Sequence, residues 1–186
     1  MNYSEIKNCD IANGPGVRVT LFVSGCTHRC EGCFNEMTWD FDYGDPFDVS
    51  VQEQILRYLQ PDYIAGLTLL GGEPLEYVNW QELLPFVKEV KGRFPGKDIW
   101  CYTGYRFEED ILKRFCSQWK EMREFLTYID VLVDGEFILA QKDISLQFRG
   151  SGNQRIILVQ ESLRKGRTVL WKNDFCEGQA DQSGRM

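Results

Sequence analysis

Residues 17–34 read VRVTLFVSGCTHRCEGCF, a strand run directly into a loop of cysteines. The run 17–23 is β-branched, aromatic and aliphatic, and it follows the turn-forming Asn13-Gly14-Pro15-Gly16, so it predicts a strand. Behind it come Cys26, Cys30 and Cys33 within eight residues, on a loop that also holds Gly25 and Gly32.

Outward from that stretch, strands alternate with helices. Ser50, with Glu53 three residues on, reads as a capping box, so a helix is expected to run to about Leu59 and to end at Pro61. A second strand over 66–70 enters the turn Gly71-Gly72-Glu73-Pro74. Apolar Leu83, Leu84, Phe86, Val87 and Val90 then mark a helix that stops before Gly92. A third strand is expected over 98–103, a helix over about 107–125, a fourth strand over 129–133, and further strands over 156–159 and 168–171. Alternation at this spacing implies parallel βαβ units, giving an α/β fold with a mostly parallel sheet of about four to six strands that forms an incomplete barrel. In such sheets chemistry gathers at the carboxyl ends of the strands. The cysteine loop, the GGEP turn, Thr103-Gly104-Tyr105 and Asp134-Gly135 each follow a strand, so all four are expected on one rim.

Thiolates are soft ligands suited to zinc or iron–sulfur. A closed zinc site or an ordinary electron-transfer cluster takes four protein ligands, yet Cys9, Cys101, Cys116 and Cys176 are scattered far from the triplet in sequence. Three ligands leave one metal position open, as in a site that binds substrate. Three structural cysteines, or a zinc site completed by His28 or a distant cysteine, is the alternative. His28, the only histidine, lies between two candidate ligands and fits a supporting role better than ligation. The remaining cysteines read as small buried hydrophobes.

The 186 residues suffice for one domain with a substantial core. Seven cysteines without a secretory signal read as thiols rather than a disulfide framework. No apolar run is long enough to cross a bilayer. A formal net charge of −7 argues against broad nucleic-acid binding. A cytoplasmic protein with no membrane partner is the expectation.

With the motifs in hand, the chain resembles the radical S-adenosylmethionine superfamily. More narrowly, it resembles the activating proteins of anaerobic ribonucleotide reductase. NGPG (13–16), GCTHRCEGCFN (25–35), GGEPL (71–75), DIWCYTGY (98–105), DVLVDGEF (130–137) and FRGSGNQRI (148–156) carry that likeness in the family's order. The resemblance implies a [4Fe–4S] cluster held by Cys26, Cys30 and Cys33, with S-adenosyl-L-methionine chelating the fourth iron. It implies an electron from a flavodoxin-like donor and a 5′-deoxyadenosyl radical. That radical would take hydrogen from a glycine of the large subunit of anaerobic ribonucleoside-triphosphate reductase. Gly71 and Gly72 would admit the cofactor to the backbone, and Glu73 would accept from its ammonium. Much of the superfamily carries an aromatic residue before the third cysteine. Here that residue is Gly32, so Phe34 is the candidate for the adenine.

Residues 1–160 are read as the radical domain and 161–186 as a partly disordered extension. The Gly-rich segment 149–155 fits either partner binding or a solvated turn. Rival readings are an activase for another glycyl-radical enzyme such as pyruvate formate-lyase, a small-molecule radical enzyme, and a non-enzymatic metal-binding module.

Overall fold

The computed structural model describes residues 1–172. Its seven strands form one sheet in the order β3-β1-β2-β4-β5-β6-β7. The four central strands, β2 (Val17–Val23), β4 (Ile64–Gly71), β5 (Asp98–Thr103) and β6 (Val131–Asp134), run parallel. Antiparallel strands flank them: β1 (Asn2–Asp10) and the two-residue β3 (Asp45–Pro46) on one side, β7 (Arg155–Leu158) on the other.

The helices are α1 (Val49–Leu59), α2 (Tyr77–Arg93), the short α3 (Cys116–Gln118), α4 (Lys120–Tyr128) and α5 (Val159–Lys165). A π-helical stretch, Phe107–Phe115, precedes α3.

The α/β class stands, but the expected strand count and the mostly parallel sheet are corrected: among the described residues there are seven strands, and three of the six pairings are antiparallel. The sequence reading missed β1 because NYSEIKNCD lies near the margin of the sheet and is mostly polar, with only Asp10 buried. Its pattern carries no apolar alternation to read. The first helix is capped by Asp48, whose carboxylate accepts from Val51 N–H at 3.0 Å; Ser50 only donates to that carboxylate. The helix expected over 107–125 is broken at Trp119, which is extended, and α2 runs past Gly92 to Arg93.

Period-two alternation sorts the sheet into two unlike faces. Val19, Leu21, Val23, Leu67, Leu69, Ile99, Cys101, Leu132 and Ile157 point to one side, packed with Ile55, Trp80, Leu83, Phe86, Val87, Phe125 and Leu126 from the helices. Among the described residues no α-helix packs on the other face. That face carries Trp100, Val131, Val133 and Ile156, against which Tyr102, Phe148 and Trp171 pack.

On that second face Arg18 is 0% exposed, a costly burial for a charge unless it is fully paired. It is paired: with Asp98 Oδ1 at 2.7 Å, Thr68 Oγ1 at 2.7 Å and Leu67 O at 2.9 Å, under the Trp100 ring. Arg18 thereby fastens the 13–16 loop to the sheet, because Thr68 Oγ1 in turn donates to Asn13 O.

Candidate functional site

The carboxyl ends of β2, β4, β5 and β6 bring together what the sequence scattered. A cavity of about 360 Å³ opens there, lined by Cys26, Cys30, Cys33, Gly71, Gly72, Glu73, Thr103, Gly104 and Gly135. All four predicted rim segments are represented in this lining. Asn13, Leu70, Tyr102, Phe148, Arg149 and Gln154 also line it, and of these Tyr102 and Phe148 pack on the second face of the sheet.

The cysteine loop and the GGEP turn are stitched by main chain. Gly72 N–H donates to Val23 O at 2.7 Å and Glu73 N–H to Gly25 O at 2.8 Å. Gly25 N–H donates to Thr38 O and Cys26 N–H to Trp39 O. A side chain at position 72 has no room: its Cβ would lie 2.6 Å from Gly25 O and 2.9 Å from Thr38 O. Gly71 adopts a φ of +112°, which only glycine reaches without strain. Gly71 thus bends the GGEP turn, and Gly72 lets it pack against the cysteine loop and residue 38.

Glu73 is 1% exposed. Its Oε1 accepts from Leu75 N–H at 2.8 Å and its Oε2 from Gly104 N–H at 2.7 Å. A carboxylate has about four lone-pair sites, so a further donor from the cavity can still be accepted. His28 reaches the same group: Nε2 lies 3.2 Å from Glu73 Oε2, off the hydrogen-bonding line, while Nδ1 meets Glu136 Oε1 at 2.9 Å. Burial alone would depress this imidazole, but the Glu73 and Glu136 carboxylates outweigh it and push it up to about 9. The ring stands edge-on to Tyr105 at 4.4 Å. It fits only because position 104 is glycine, where a Cβ would come within 2.7 Å of the ring. His28 thus clasps the cysteine loop to two rim segments.

The six cysteines among the described residues are free thiols, and Cys26, Cys30 and Cys33 are each part-exposed. Burial, then the charge of Glu73, pushes the Cys26 thiol up to about 12, and burial with Glu136 raises Cys30. Among the described residues no three His, Cys, Asp or Glu side chains already stand as a closed metal cluster. The donor chemistry nevertheless fits an iron–sulfur cube open at one corner. Three soft ligands face one cavity, and among the described residues its lining contains no fourth cysteine. Cys101 and Cys116 belong to the apolar core instead, while Cys176 and the frayed end expected over 177–186 lie outside the described residues.

Phe34 lines the cavity but is 76% exposed, near Phe137 at 6.3 Å and beneath the Lys142 ammonium. Gly32 takes a φ of +71°, and a Cβ there would meet Leu139 at 2.9 Å, so its role is to let the loop turn under that side chain.

Two groups escaped the sequence reading. Asn79, fully buried in the first turn of α2, donates through Nδ2 to both Ser24 O and Glu73 O at 2.9 Å. Glu76 accepts from Thr27 N–H at 2.8 Å. No local pattern marks either, since each acts on a segment about fifty positions away. At the β6 end, Asp134 accepts from Phe107 N–H and from Arg155, whose guanidinium also grips Glu108 at 2.6 and 3.0 Å. Arg155 of the Gly-rich segment is therefore a structural clamp. Arg149 of the same segment lines the cavity.

The family model for a 4Fe-4S single cluster domain matches residues 12–157. An anaerobic ribonucleoside-triphosphate reductase-activating protein of Haemophilus influenzae is 49% identical over 158 residues, 84% of this chain and 97% of the relative. One from Enterobacteria phage T4 is 44% identical over 176 residues, covering 94% of this chain and all of the relative. One from Escherichia coli K12 is 42% identical over 156 residues, 83% of this chain and 96% of the relative. With a cavity of three thiols beside the GGEP turn and likeness over nearly the whole of these relatives, the chain belongs to the 4Fe-4S single cluster domain family, among the activating proteins of anaerobic ribonucleoside-triphosphate reductase.

Proposed function

We propose that this chain is an enzyme that generates the glycyl radical of an anaerobic ribonucleoside-triphosphate reductase, its protein substrate being the large subunit. The observation that carries this reading is the meeting of three thiols, with no fourth among the described residues, and the GGEP turn in one cavity at the strand ends. Cys26, Cys30 and Cys33 would hold a [4Fe–4S] cluster, and S-adenosyl-L-methionine would take the remaining iron position. When bound, these groups supply one-electron cleavage of the sulfonium and the hydrogen abstraction that leaves the radical on the partner's glycine.

The chain's own residues bind and orient. Each liganding thiol must give up a proton, so loading releases protons that burial now retains on Cys26 and Cys30. Glu73 is fixed by two backbone N–H groups and His28, and it offers its spare lone pairs to the methionyl ammonium. Gly71 and Gly72 present main chain to the same end. Gly32 and Phe34 form the softer, exposed end assigned to the adenine. Because the cavity opens to solvent, the docked partner is what excludes water from it.

The α-helices among the described residues pack on one face of the sheet, and Tyr102 and Phe148 of the opposite face line the cavity. This supports reading the sheet as the wall of an incomplete barrel, with 1–160 as the radical domain and 161–186 as an extension. No helix among the described residues is long and apolar enough to cross a membrane. A cytoplasmic location and a flavodoxin-like electron donor complete the proposal.

The test is anaerobic reconstitution with iron and sulfide. Addition of dithionite and S-adenosyl-L-methionine should yield 5′-deoxyadenosine, and addition of the reductase large subunit should give a glycyl-radical doublet by electron paramagnetic resonance. A protein that takes only zinc, or a cluster that yields no 5′-deoxyadenosine, would overturn the reading.

A further inference from the structure

The helix-free face is closed beneath the cavity by three aromatic rings. Trp100 of β5, Phe148 and Trp171 meet pairwise edge-on, with centroids 5.6, 5.9 and 6.0 Å apart. Tyr102, two residues along β5 from Trp100 and so on the same face, lines the cavity, as do Phe148 and Arg149. Phe148 sits at a φ of 55°. A bulky side chain avoids that region and stays there only where its surroundings hold it.

The hold comes from beyond α5. After Gly166 the chain turns back along β7: Leu158 N–H donates to Val169 O at 2.9 Å, Trp171 N–H donates to Ile156 O at 2.8 Å, and Leu170 bridges Ile157. Val169 N–H also donates to Ser162 Oγ at 2.9 Å, and the Thr168 hydroxyl bonds the Glu108 carboxylate. Residues 168–171 are thus a fastened strap that delivers Trp171 against Phe148.

We propose that this strap is a positioning element for the protein substrate: through Trp171 it fixes Phe148, and with it the Arg149–Gln154 wall against which the glycine-bearing segment lies. The proposal rests on the function inferred above. The far end of the 148–154 loop is tied separately, by Asn153 to Glu136 O and Gln154 to Gly135 O. The cysteine loop is tied to the GGEP turn without the strap. Loss of Trp171 therefore loosens one wall and leaves the cluster end intact.

The test compares Trp171→Ala and Trp171→Phe in the full-length, cluster-loaded protein. Three readouts serve: 5′-deoxyadenosine formation without partner, KM for the large subunit in glycyl-radical formation, and backbone hydrogen exchange. The alanine variant should raise that KM about three- to tenfold and leave partner-free cleavage within about twofold, as expected for one lost aromatic contact. Amides of 146–154 should exchange faster while those of 17–26 do not, and phenylalanine should restore most of the KM. Equal losses in cleavage and radical transfer, or an unchanged KM, would overturn the proposal. If the alanine variant does not fold, the phenylalanine variant decides: a raised KM with normal cleavage supports the strap, an unchanged KM removes it. If the unaltered protein yields no glycyl radical, the functional reading has failed. The strap is then judged on exchange alone, and unaltered exchange at 146–154 in the alanine variant rejects it.

Discussion

At the β2–β4 end of the cavity main-chain hydrogen bonds share the fastening with the buried side chains of Asn79 and Glu73, whereas at the β6–β7 end an ionic cluster dominates. The first end is held by four backbone hydrogen bonds between the cysteine loop, the GGEP turn and residues 38–39, with glycine where the strands of chain touch. The second is held by Asp134, Arg155 and Glu108, three charged groups drawn from separate elements. Backbone bonds ignore pH and tolerate side-chain change, except where a Cβ would intrude. An ionic clamp depends on every partner keeping its charge, since removing one leaves another buried without compensation. In the proposed function the cluster would sit at the end stitched by main chain, and the ionic end is the one that charge and sequence can tune.

The largest effect expected is at the first end. Cys30→Ala should abolish 5′-deoxyadenosine formation and sharply lower bound iron and sulfide. Its circular dichroism should stay near that of the parent, because Cys30 lies outside the apolar core. A variant that retained full iron and turnover would break the assignment of this end to the cluster.

Next in size is the ionic clamp. Arg155→Ala leaves Asp134, 1% exposed, without its cation. The cost should be about 3 kcal/mol, at the low end for a broken buried pair because Arg155 itself is part-exposed. Denaturant unfolding measures it, and a loss within the range of ordinary surface substitutions would show that the two ends do not differ in kind. Gly72→Ala is the matching probe of the backbone end. Forcing Cβ against Gly25 O and Thr38 O should cost about 1–2 kcal/mol by overpacking. It should also reduce cluster loading, read as iron per chain.

The smallest effect is an acid-side pH dependence at the clamp. The hydrogen bonds from Arg155 and, more weakly, Thr168 hold the Glu108 carboxyl down to about 2 against the penalty of burial. A lowered carboxyl contributes stability that is complete above its ordinary range near 4.5 and is lost as pH falls toward about 2. The thermal midpoint of the parent should therefore fall more steeply across that acid window than that of Glu108→Gln. Between pH 6 and pH 8, two values chosen well above the window, the gap should be constant to within about a degree. Parallel curves in acid would remove Glu108 from the clamp.

Much of this was legible in the residues themselves. Third-strand bounds, the end of α1 at Leu59 and the four rim segments follow from β-branched runs and from glycine and proline punctuation, all short-range signals. The cap at Asp48 instead of Ser50 was missed because several polar residues in a row can each accept from a helix N-terminus, and only the backbone angles choose among them. The antiparallel margins were missed for a different reason. β1 is polar, β3 is two residues long, and β7 has the same composition whichever way it pairs.

By itself the sequence placed three cysteines on one loop after a strand, the glycines that let GGEP bend and pack closely, and the order of strand ends that gathers them on one rim. These rest on chemistry and local backbone preference, which need no distant partner. Only the tertiary structure decided which side chains hold the rim in place. Asn79 and Glu76 reach back to the cysteine strand and loop, His28 spans to Glu73 and Glu136, Arg155 joins Glu108 to Asp134, and Trp171 braces Phe148 from beyond the last helix. Each of these contacts links residues far apart along the chain, and a polar or aromatic side chain carries no mark of its distant partner until the sheet brings the two together.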